Sequence, residues 1–426
     1  MSALACLSVP GCRLPLPVLE SLAFPRDGLP CAVADLRSRT GADELLLVST
    51  CERTEVYGLW TGGAPEPAPL DTLARALAAS RGVPVGVVTA SCDRFTGSDA
   101  AGHLLRVASG LESFVLGESD IVGQVRAAAD ASRAAGACGP ELERLVAAAV
   151  HTSRRVHRST SFGEGGRSVA AAAVALAAEA AGGDLRDRRV VVVGAGRVAT
   201  DVAGGAGRLG AAVTVCNRTT RHADRFAASG ASVVDLGRLP EALRTADVAI
   251  FGTAAPHRLV EARTLARIRT GAPGLLVLDL CVPRNVDPDV RGLPGVRLVD
   301  LADLRATGAA GSDALARDAA RAAAVVEAEL DRHGRASAHR SAAAAVRRLR
   351  QDLDACAERQ AGLAARGVPE PLRPDVEDRV RRAVRRLADG PTRRLLEAAE
   401  AGDGALVELL SGLFAAEGQP PARSSR

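Results

Sequence analysis

Thr50-Cys51-Glu52-Arg53 closes a short apolar run, Leu45 to Val48, and sets a thiol beside a guanidinium. A thiol is a strong nucleophile and acyl acceptor only as its thiolate, and a neighbouring cation favours that form. Taken alone, Cys51 reads more readily as a small buried hydrophobe. A second chemical stretch is Gly194-Ala195-Gly196-Arg197-Val198-Ala199, which follows the run Val190 to Val193. Strand, Gly-x-Gly-x-x-Ala turn, helix and second strand form the context in which a backbone approaches a dinucleotide pyrophosphate at a helix N-terminus. The second strand, Ala212 to Cys216, ends in Asn217-Arg218-Thr219-Thr220 with Arg221 close behind, where an NAD site places an acidic residue. A guanidinium and hydroxyls suit a 2′-phosphate, so NADPH is the expected cofactor. A third stretch, Gly110 to Glu118, interrupts a helical pattern with two bracketing glycines, where Ser113 and Glu118 can face a cavity or simply close a helix-helix turn.

The elements that must position these groups follow from periodicity. Ala3 to Val9, Leu45 to Val48, Glu55 to Trp60 and Val85 to Thr89 read as strands, and Val18 to Phe24, Cys31 to Arg37 and Leu70 to Ala79 as helices. That βαββαβ order suits a small α+β sandwich. Helical patterns containing His103, then Ile121 to Ala135 and Glu141 to Arg158, complete the first region. From Asp187 to Asp300, apolar strands alternate with helix-length segments, as in a parallel sheet covered on both faces. The loops at the strand ends include His257 and Cys281 to Arg284. Gly204 and Gly205 weaken the helix after the glycine turn. Past Gly311 the chain is Ala- and Arg-rich, with Ser312 as a helix cap and Gly334 as its stop. Val376, Val380, Val384 and Leu387 form a narrow apolar stripe suited to a second chain, and the surrounding arginines read as a solvated face.

A chain of 426 residues exceeds one core, and 47% hydrophobic with 24% charged residues is the balance of a soluble globular protein. All the cationic side chains besides histidine are arginines, which excludes a catalytic or Schiff-base lysine, and the net charge of +4 neither requires nor excludes an RNA partner. Nine cysteines with no Cys-x-x-Cys pair fit neither a disulfide framework nor a zinc site, so no metal is expected and the cytoplasm is the expected compartment. The N-terminus does not resemble a signal peptide, and no run of about 18 apolar residues suggests a membrane span.

A thiol in one domain and an NADPH site in another suggest hydride delivery to a cysteine-bound acyl group, interconverting an activated carboxyl and an aldehyde. A dehydrogenase in which Cys51 is structural, and a non-catalytic dimeric scaffold that senses NADPH, are the other two readings.

Several segments together resemble the glutamyl-tRNA reductases, which open the five-carbon route to tetrapyrroles. Ser49 to Tyr57 is similar to the family's Ser-Thr-Cys-Asn-Arg-Thr-Glu-Val-Tyr. Gly110 to Ser113, Leu116 to Glu118 and Gly123-Gln124 are similar to its Gly-Leu-Asp-Ser, Leu-Gly-Glu and Gly-Gln signature; Asn217 to Thr219 and Asp279 to Asp287 also match. The resemblance implies a multidomain α/β protein: an α+β catalytic domain over 1–157, a Rossmann NADP-binding domain over 158–305, and a C-terminal α-helical dimerisation domain over 306–426, with a connecting helix near 140–180. It implies that Cys51 attacks the ester of glutamyl-tRNA, that NADPH reduces the thioester to glutamate-1-semialdehyde, and that His103 aids positioning or proton transfer. Arg53 would hold the substrate carboxylate. Thr50, Glu52, Ser113, Glu118, Ser119, Asp120 and Gln124 would complete the glutamyl pocket, and Gly194 to Ala199 with Asn217, Arg218 and Thr219 would bind the cofactor. A homodimer and an aminotransferase partner for the aldehyde follow from the same resemblance. Three departures stand out. Glu52 replaces Asn beside the nucleophile, adding a negative charge that opposes thiol ionisation unless a cation offsets it. Ser119-Asp120 replaces Pro-Gln, and Pro10 to Leu22 lacks the usual Thr-Ala-Pro pattern.

Overall fold

The computed structural model describes residues 3–11, 14–61, 68–113, 115–118, 120–163, 168–219, 226, 230–306, 313–387, 389–400 and 406. Ser119, Thr220, Arg221 and Ser312 lie outside the described residues. The described residues before and after the boundary at 328/329 form two compact units.

In the first unit, strands β1 (Ala3–Pro10), β2 (Glu44–Ser49), β3 (Arg53–Trp60) and β4 (Asp93–Thr96) make an antiparallel sheet in the order β2-β3-β1-β4. Alternate residues of β1, β2 and β3, among them Leu7, Val9, Leu45, Leu47 and Val56, join Val33, Leu36, Leu73 and Leu77 in one buried cluster. Those four residues come from helices α2 (Leu29–Thr40) and α3 (Pro69–Arg81), which follow the short α1 (Leu16–Leu22). Val85–Ser91, expected as a strand, is helix α4. Pro84 at its N-cap presets the helical entry, and Val88 is the residue it buries. The fourth strand is instead the polar edge segment Asp93–Thr96.

Helices α5 (Gly97–Ala108), α6 (Ile121–Ala134) and α7 (Pro140–Ser159) follow. The Glu44 carboxylate on β2 accepts from the Glu141 and Leu142 backbone N–H groups at 3.3 and 2.6 Å, capping α7 from across the fold. A single connecting helix over 140–180 does not form. The chain turns at Ser161–Gly163, and α8 (Val169–Ala181) starts afresh with Ser168 Oγ accepting from the Ala171 N–H at 3.1 Å.

The second sheet has six parallel strands: β5 (Arg189–Val193), β6 (Ala212–Asn217), β7 (Ser232–Asp235), β8 (Val248–Phe251), β9 (Leu275–Asp279) and β10 (Val296–Asp300). Their order, β10-β9-β8-β5-β6-β7, reverses direction between β5 and β8, and ligands of open α/β sheets bind in the crevice at such a switch. Helices α9 (Arg197–Arg208), α10 (Leu239–Thr245), α11 (Ala262–Ile268) and α12 (Leu301–Ala306) complete this part. The helical Gly205 now has a reason: a Cβ there would sit 3.2 Å from Val174 Cγ2, so its absence lets α9 lie close against α8.

Helix α13 (Asp313–Ala364) passes straight through Gly334. One glycine costs about 1 kcal/mol in a helix interior, and the alanines, arginines and glutamates around it outweigh that. In the second unit α13 is followed by α14 (Arg373–Leu387) and α15 (Asp389–Glu400). Arg381 and Arg385 of α14 pair with Glu358 and Asp354 of α13, both at 3.0 Å, and Arg379 and Arg382 pair along their own helix with Asp375 and Asp378. These arginines form an internally balanced face. Val376, Val380 and Val384 are half-buried, and Leu387 is 67% exposed. Among the described residues no helix is long and apolar enough to cross a membrane.

Candidate active site

Cys51 sits on the turn between β2 and β3. Thr50 N–H bonds to the Arg53 carbonyl at 2.9 Å, and Thr50 Oγ1 accepts from the backbone N–H groups of Glu52 and Arg53 at 3.0 and 3.2 Å. A hydroxyl folding back on the next two amides is the local device that fixes such turns. The Glu52 carbonyl accepts from Gly11 N–H at 2.7 Å, anchoring the turn to the end of β1. Cys51 itself is half-buried and packs against the apolar cluster of the parallel-sheet domain, as do Val115 and Val282. Cys281, at the end of β9, lies near enough for the charge of Cys51 to act on its thiol, and its Sγ accepts from Thr253 N–H at 3.2 Å at the end of β8. The Cys51 turn of one domain therefore lies at the carboxyl ends of the other domain's strands.

Arg53 is buried. Its Nη1 donates to Glu55 Oε1 at 3.3 Å, its Nη2 donates to the Glu112 carbonyl, and Glu52 Oε2 is 4.0 Å away. Its Nε has no hydrogen-bond partner. Burial works against the Arg53 charge, yet Glu55 and Glu52 hold its pKa above the usual guanidinium value. Glu55 is the hub that sequence reasoning missed. Its carboxylate also accepts from Ser8 Oγ at 3.0 Å and Tyr57 Oη at 2.7 Å, and His103 Nε2 lies 3.0 Å from Oε1. Burial alone would raise the Glu55 carboxyl, but His103, Arg53 and Tyr57 overcome it and hold it down at about 2. An ionised carboxylate only accepts, so the proton of this contact is on His103 Nε2. The buried imidazole stacks on Phe95 with centroids 4.3 Å apart, and its Nδ1 has no partner. Glu55 stands two residues after Arg53 on β3, hence on the same face. That spacing was the one available sign.

The Gly110 to Glu118 bend is a compact loop. Gly117 N–H bonds to the Gly110 carbonyl and Glu118 N–H to the Val115 carbonyl, both at 3.0 Å. Gly110 takes φ +76°, and a Cβ there would meet the Glu118 carbonyl oxygen at 2.8 Å, so glycine is required on both counts. Ser113 Oγ is buried without a hydrogen-bond partner. Burial, with repulsion from Glu52 and Asp120, pushes Glu118 up to about 8 against the pull of Arg53 and Arg197. Gln124 is half-buried on the first turn of α6. The structure thus brings Glu52, Arg53 and Asp120 within electrostatic range of Glu118, with His103 attached to Arg53 through Glu55.

The glycine turn fits a dinucleotide. Gly194 takes φ +119°, and a Cβ would lie 2.5 Å from the Gly252 carbonyl oxygen, so β5 and β8 close up only with glycine there. Around Gly196 a Cβ would meet nothing within 4 Å, and this N-cap of α9 makes no side-chain cap bond. The space and the free helix N-terminus are what a pyrophosphate needs. Ala195 and Val198 are half-buried beside it, and Ala199 packs inward. Asn217 Nδ2 bonds to the Thr219 carbonyl at 2.9 Å and closes the turn that exposes Arg218. Across the strand ends, buried Asp279 accepts from the N–H groups of Cys281, Asn285 and Val286, and burial pushes its carboxyl up to about 6. Arg284 in that loop grips Glu20 of α1 through Nε and Nη2, each at 2.8 Å. His257 is exposed, on a groove with Leu236 and Leu239 between α10 and α11.

A cysteine-bearing domain docked on the strand ends of a nucleotide-binding sheet places the chain among pyridine-nucleotide-dependent oxidoreductases. Comparison with known proteins narrows the class. Residues 12–160 match the N-terminal domain model of glutamyl-tRNAGlu reductase, 175–307 the shikimate / quinate 5-dehydrogenase model, and 321–416 the glutamyl-tRNAGlu reductase dimerisation domain. The chain is 49% identical over 422 residues to glutamyl-tRNA reductase 2 of Nocardioides sp., covering 97% of this chain and 93% of that one. It is 36% identical over 410 residues to the glutamyl-tRNA reductase of Salinispora arenicola, covering 94% and 89%. The structure of the Methanopyrus kandleri glutamyl-tRNA reductase aligns over 96% of this chain and 99% of that one, with TM-score 0.50 and 27% identity. The chain belongs to the glutamyl-tRNA reductase family. Its three-part architecture and helical dimerisation domain are those of that family.

Proposed function

We propose that this chain, as a cytoplasmic homodimer, reduces glutamyl-tRNA to glutamate-1-semialdehyde with NADPH, and that an aminotransferase takes up the labile product on the way to 5-aminolevulinate. The observation that carries this reading is the packing of Cys51 against the apolar cluster of the nucleotide domain, within electrostatic range of Cys281 at the end of β9. Cys51 Sγ attacks the ester carbonyl, the carbon–oxygen bond to the tRNA ribose breaks, and the ribose oxygen leaves with a proton. NADPH, held by Gly194 to Ala199, would supply the hydride that reduces the acyl group to the aldehyde, and the Cys51 thiolate leaves the acyl carbon to regenerate the thiol. Thr50 holds the turn so that the thiol meets the carbonyl with no loop ordering left to occur. Glu118 accepts the substrate ammonium, and Ser113 Oγ and Arg53 Nε, both lacking partners, supply donors to the glutamyl group. His103 acts through Glu55, and so positions Arg53 rather than touching substrate. Arg218 selects the 2′-phosphate, and Gly194 to Ala199 hold the pyrophosphate. The test is aldehyde formation from glutamyl-tRNA and NADPH. Cys51→Ser abolishes it and leaves NADPH binding intact, whereas an unchanged rate overturns the assignment of the nucleophile. Mass spectrometry of a glutamyl adduct on Cys51 is the direct check.

A further inference from the structure

One ion pair joins the two ligand sites. Arg197, the first residue of α9 after Gly196, places Nη2 2.5 Å from Asp120 Oδ1, and its Nε is 3.7 Å from Asp201 Oδ2 one turn along. Asp120 belongs to the other domain. It caps the start of α6, where its carbonyl accepts from Gly123 and Gln124 N–H groups at 3.0 and 3.2 Å, and it stands two residues from Glu118. The partners differ in freedom: the Arg197 side chain is 63% exposed and that of Asp120 11%. The solvent-exposed member is the cation, and it rests at the mouth of the glycine turn.

We propose that Arg197 exchanges partners when nucleotide binds, leaving Asp120 for the cofactor pyrophosphate and freeing the Asp120 carboxylate at the edge of the glutamyl pocket. The inference rests on the glycine turn being the nucleotide site. A guanidinium fork binds a phosphate at least as well as a carboxylate, and the N-terminus of α9 adds its own attraction for the phosphate. Asp120 and Asp201 therefore act as place-holders that an arriving pyrophosphate must outcompete. Once Arg197 moves, the pocket holds Glu52, Glu118 and Asp120 with one cation fewer. Burial already raises the Asp120 carboxyl against the pull of Arg197. The pocket then draws a replacement cation, and the ammonium of the glutamyl group supplies it. Nucleotide and substrate reinforce each other's binding, and by linkage the effect is reciprocal.

The experiment is a fluorescence titration of NADPH and NADH into the full-length dimer, its Asp120→Asn and Arg197→Ala variants, and the double variant. Asp120→Asn, nearly isosteric, should tighten both nucleotides about three- to fivefold, the worth of a partly exposed ion pair. Arg197→Ala should weaken both, and the double variant should match Arg197→Ala, because with the guanidinium gone there is no competition to relieve. An unchanged or weaker affinity in Asp120→Asn overturns the proposal, as does an effect confined to NADPH, which would place Arg197 at the 2′-phosphate. If the unmodified dimer binds neither nucleotide, the cofactor reading itself fails instead.

Discussion

Replacing Glu55 by Gln removes the charge on which the buried polar face of β3 is organised. The carboxylate is wholly buried and accepts from Ser8, Arg53 and Tyr57, with His103 Nε2 at 3.0 Å. Gln keeps the shape, leaving the buried Arg53 guanidinium with Glu52, 4.0 Å away, as its remaining carboxylate. Breaking one side of a buried ion pair costs about 3–5 kcal/mol. The titration gives a similar figure: holding a carboxyl of ordinary value 4.5 down at about 2 corresponds to about 3 kcal/mol at neutral pH. The folded state gives up this proton more readily than the unfolded chain. Its stabilisation is therefore complete above 4.5, declines as pH falls from there, and is lost once pH passes below about 2. Trp60, the chain's one tryptophan, lies buried on the same strand and reports unfolding of this sheet. In urea unfolding followed by its fluorescence, Glu55→Gln should lose about 3 kcal/mol at neutral pH, and the gap to the unmodified protein should narrow steadily toward about pH 3. Equal stabilities at neutral pH, or a gap that stays constant on acidification, would refute the hub.

Glu118, pushed up to about 8, is mostly protonated at neutral pH and ionises as pH rises through that value. KM for glutamyl-tRNA should therefore fall several-fold on going from neutral pH to about 8, and Glu118→Gln should flatten the profile; an unaltered profile in that variant counts against Glu118 as the ammonium partner. Gly205→Val should overpack α8 against α9 and cost about 1–3 kcal/mol. Gly204→Ala, where a Cβ would meet just the end of the Arg208 side chain at 3.5 Å, should stabilise by up to about 1 kcal/mol; thermal unfolding reads both, and equal effects would dismiss the packing argument. Arg218→Ala should weaken NADPH roughly tenfold or more while sparing NADH, and equal losses would reject the 2′-phosphate assignment.

The parallel sheet was legible because strands buried on both faces are continuous apolar runs, and the glycine turn is a local signal with a local cause. Val85–Ser91 was not: its valines satisfy a strand pattern, and the proline that starts a helix reads just as well as a strand boundary. Gly334 failed as a stop because a glycine ends a helix only where the chain beyond it favours a turn. At the candidate site, Cys51 beside Arg53 and the Glu118 bend drew attention through their local neighbours, and the roles proposed for them came from the family resemblance. Glu55 was not, since Ser8 and His103 lie 47 and 48 residues away along the chain, and alternation along β3 cannot tell a buried carboxylate from an exposed one. The job of Thr50 was half legible. The family resemblance implied contact with substrate; the structure adds that its Oγ1 accepts from two amides of the turn, which leaves its O–H as a donor. The Asp120 to Arg197 pair joins two motifs that sequence reads separately.

The docking of the cysteine domain on the nucleotide sheet bears on how the protein could be cut for engineering. A break anywhere between α7 and α8 leaves each half with its own sheet. It also exposes Cys51, Val115 and Val282, and strips Glu20 and Asp120 of Arg284 and Arg197. A cofactor module transplanted from a relative must therefore bring, or be given, arginines at both of those positions and an apolar seat for the thiol loop. Modularity in this chain ends at the sheets, because the contacts of their seam are shared by both.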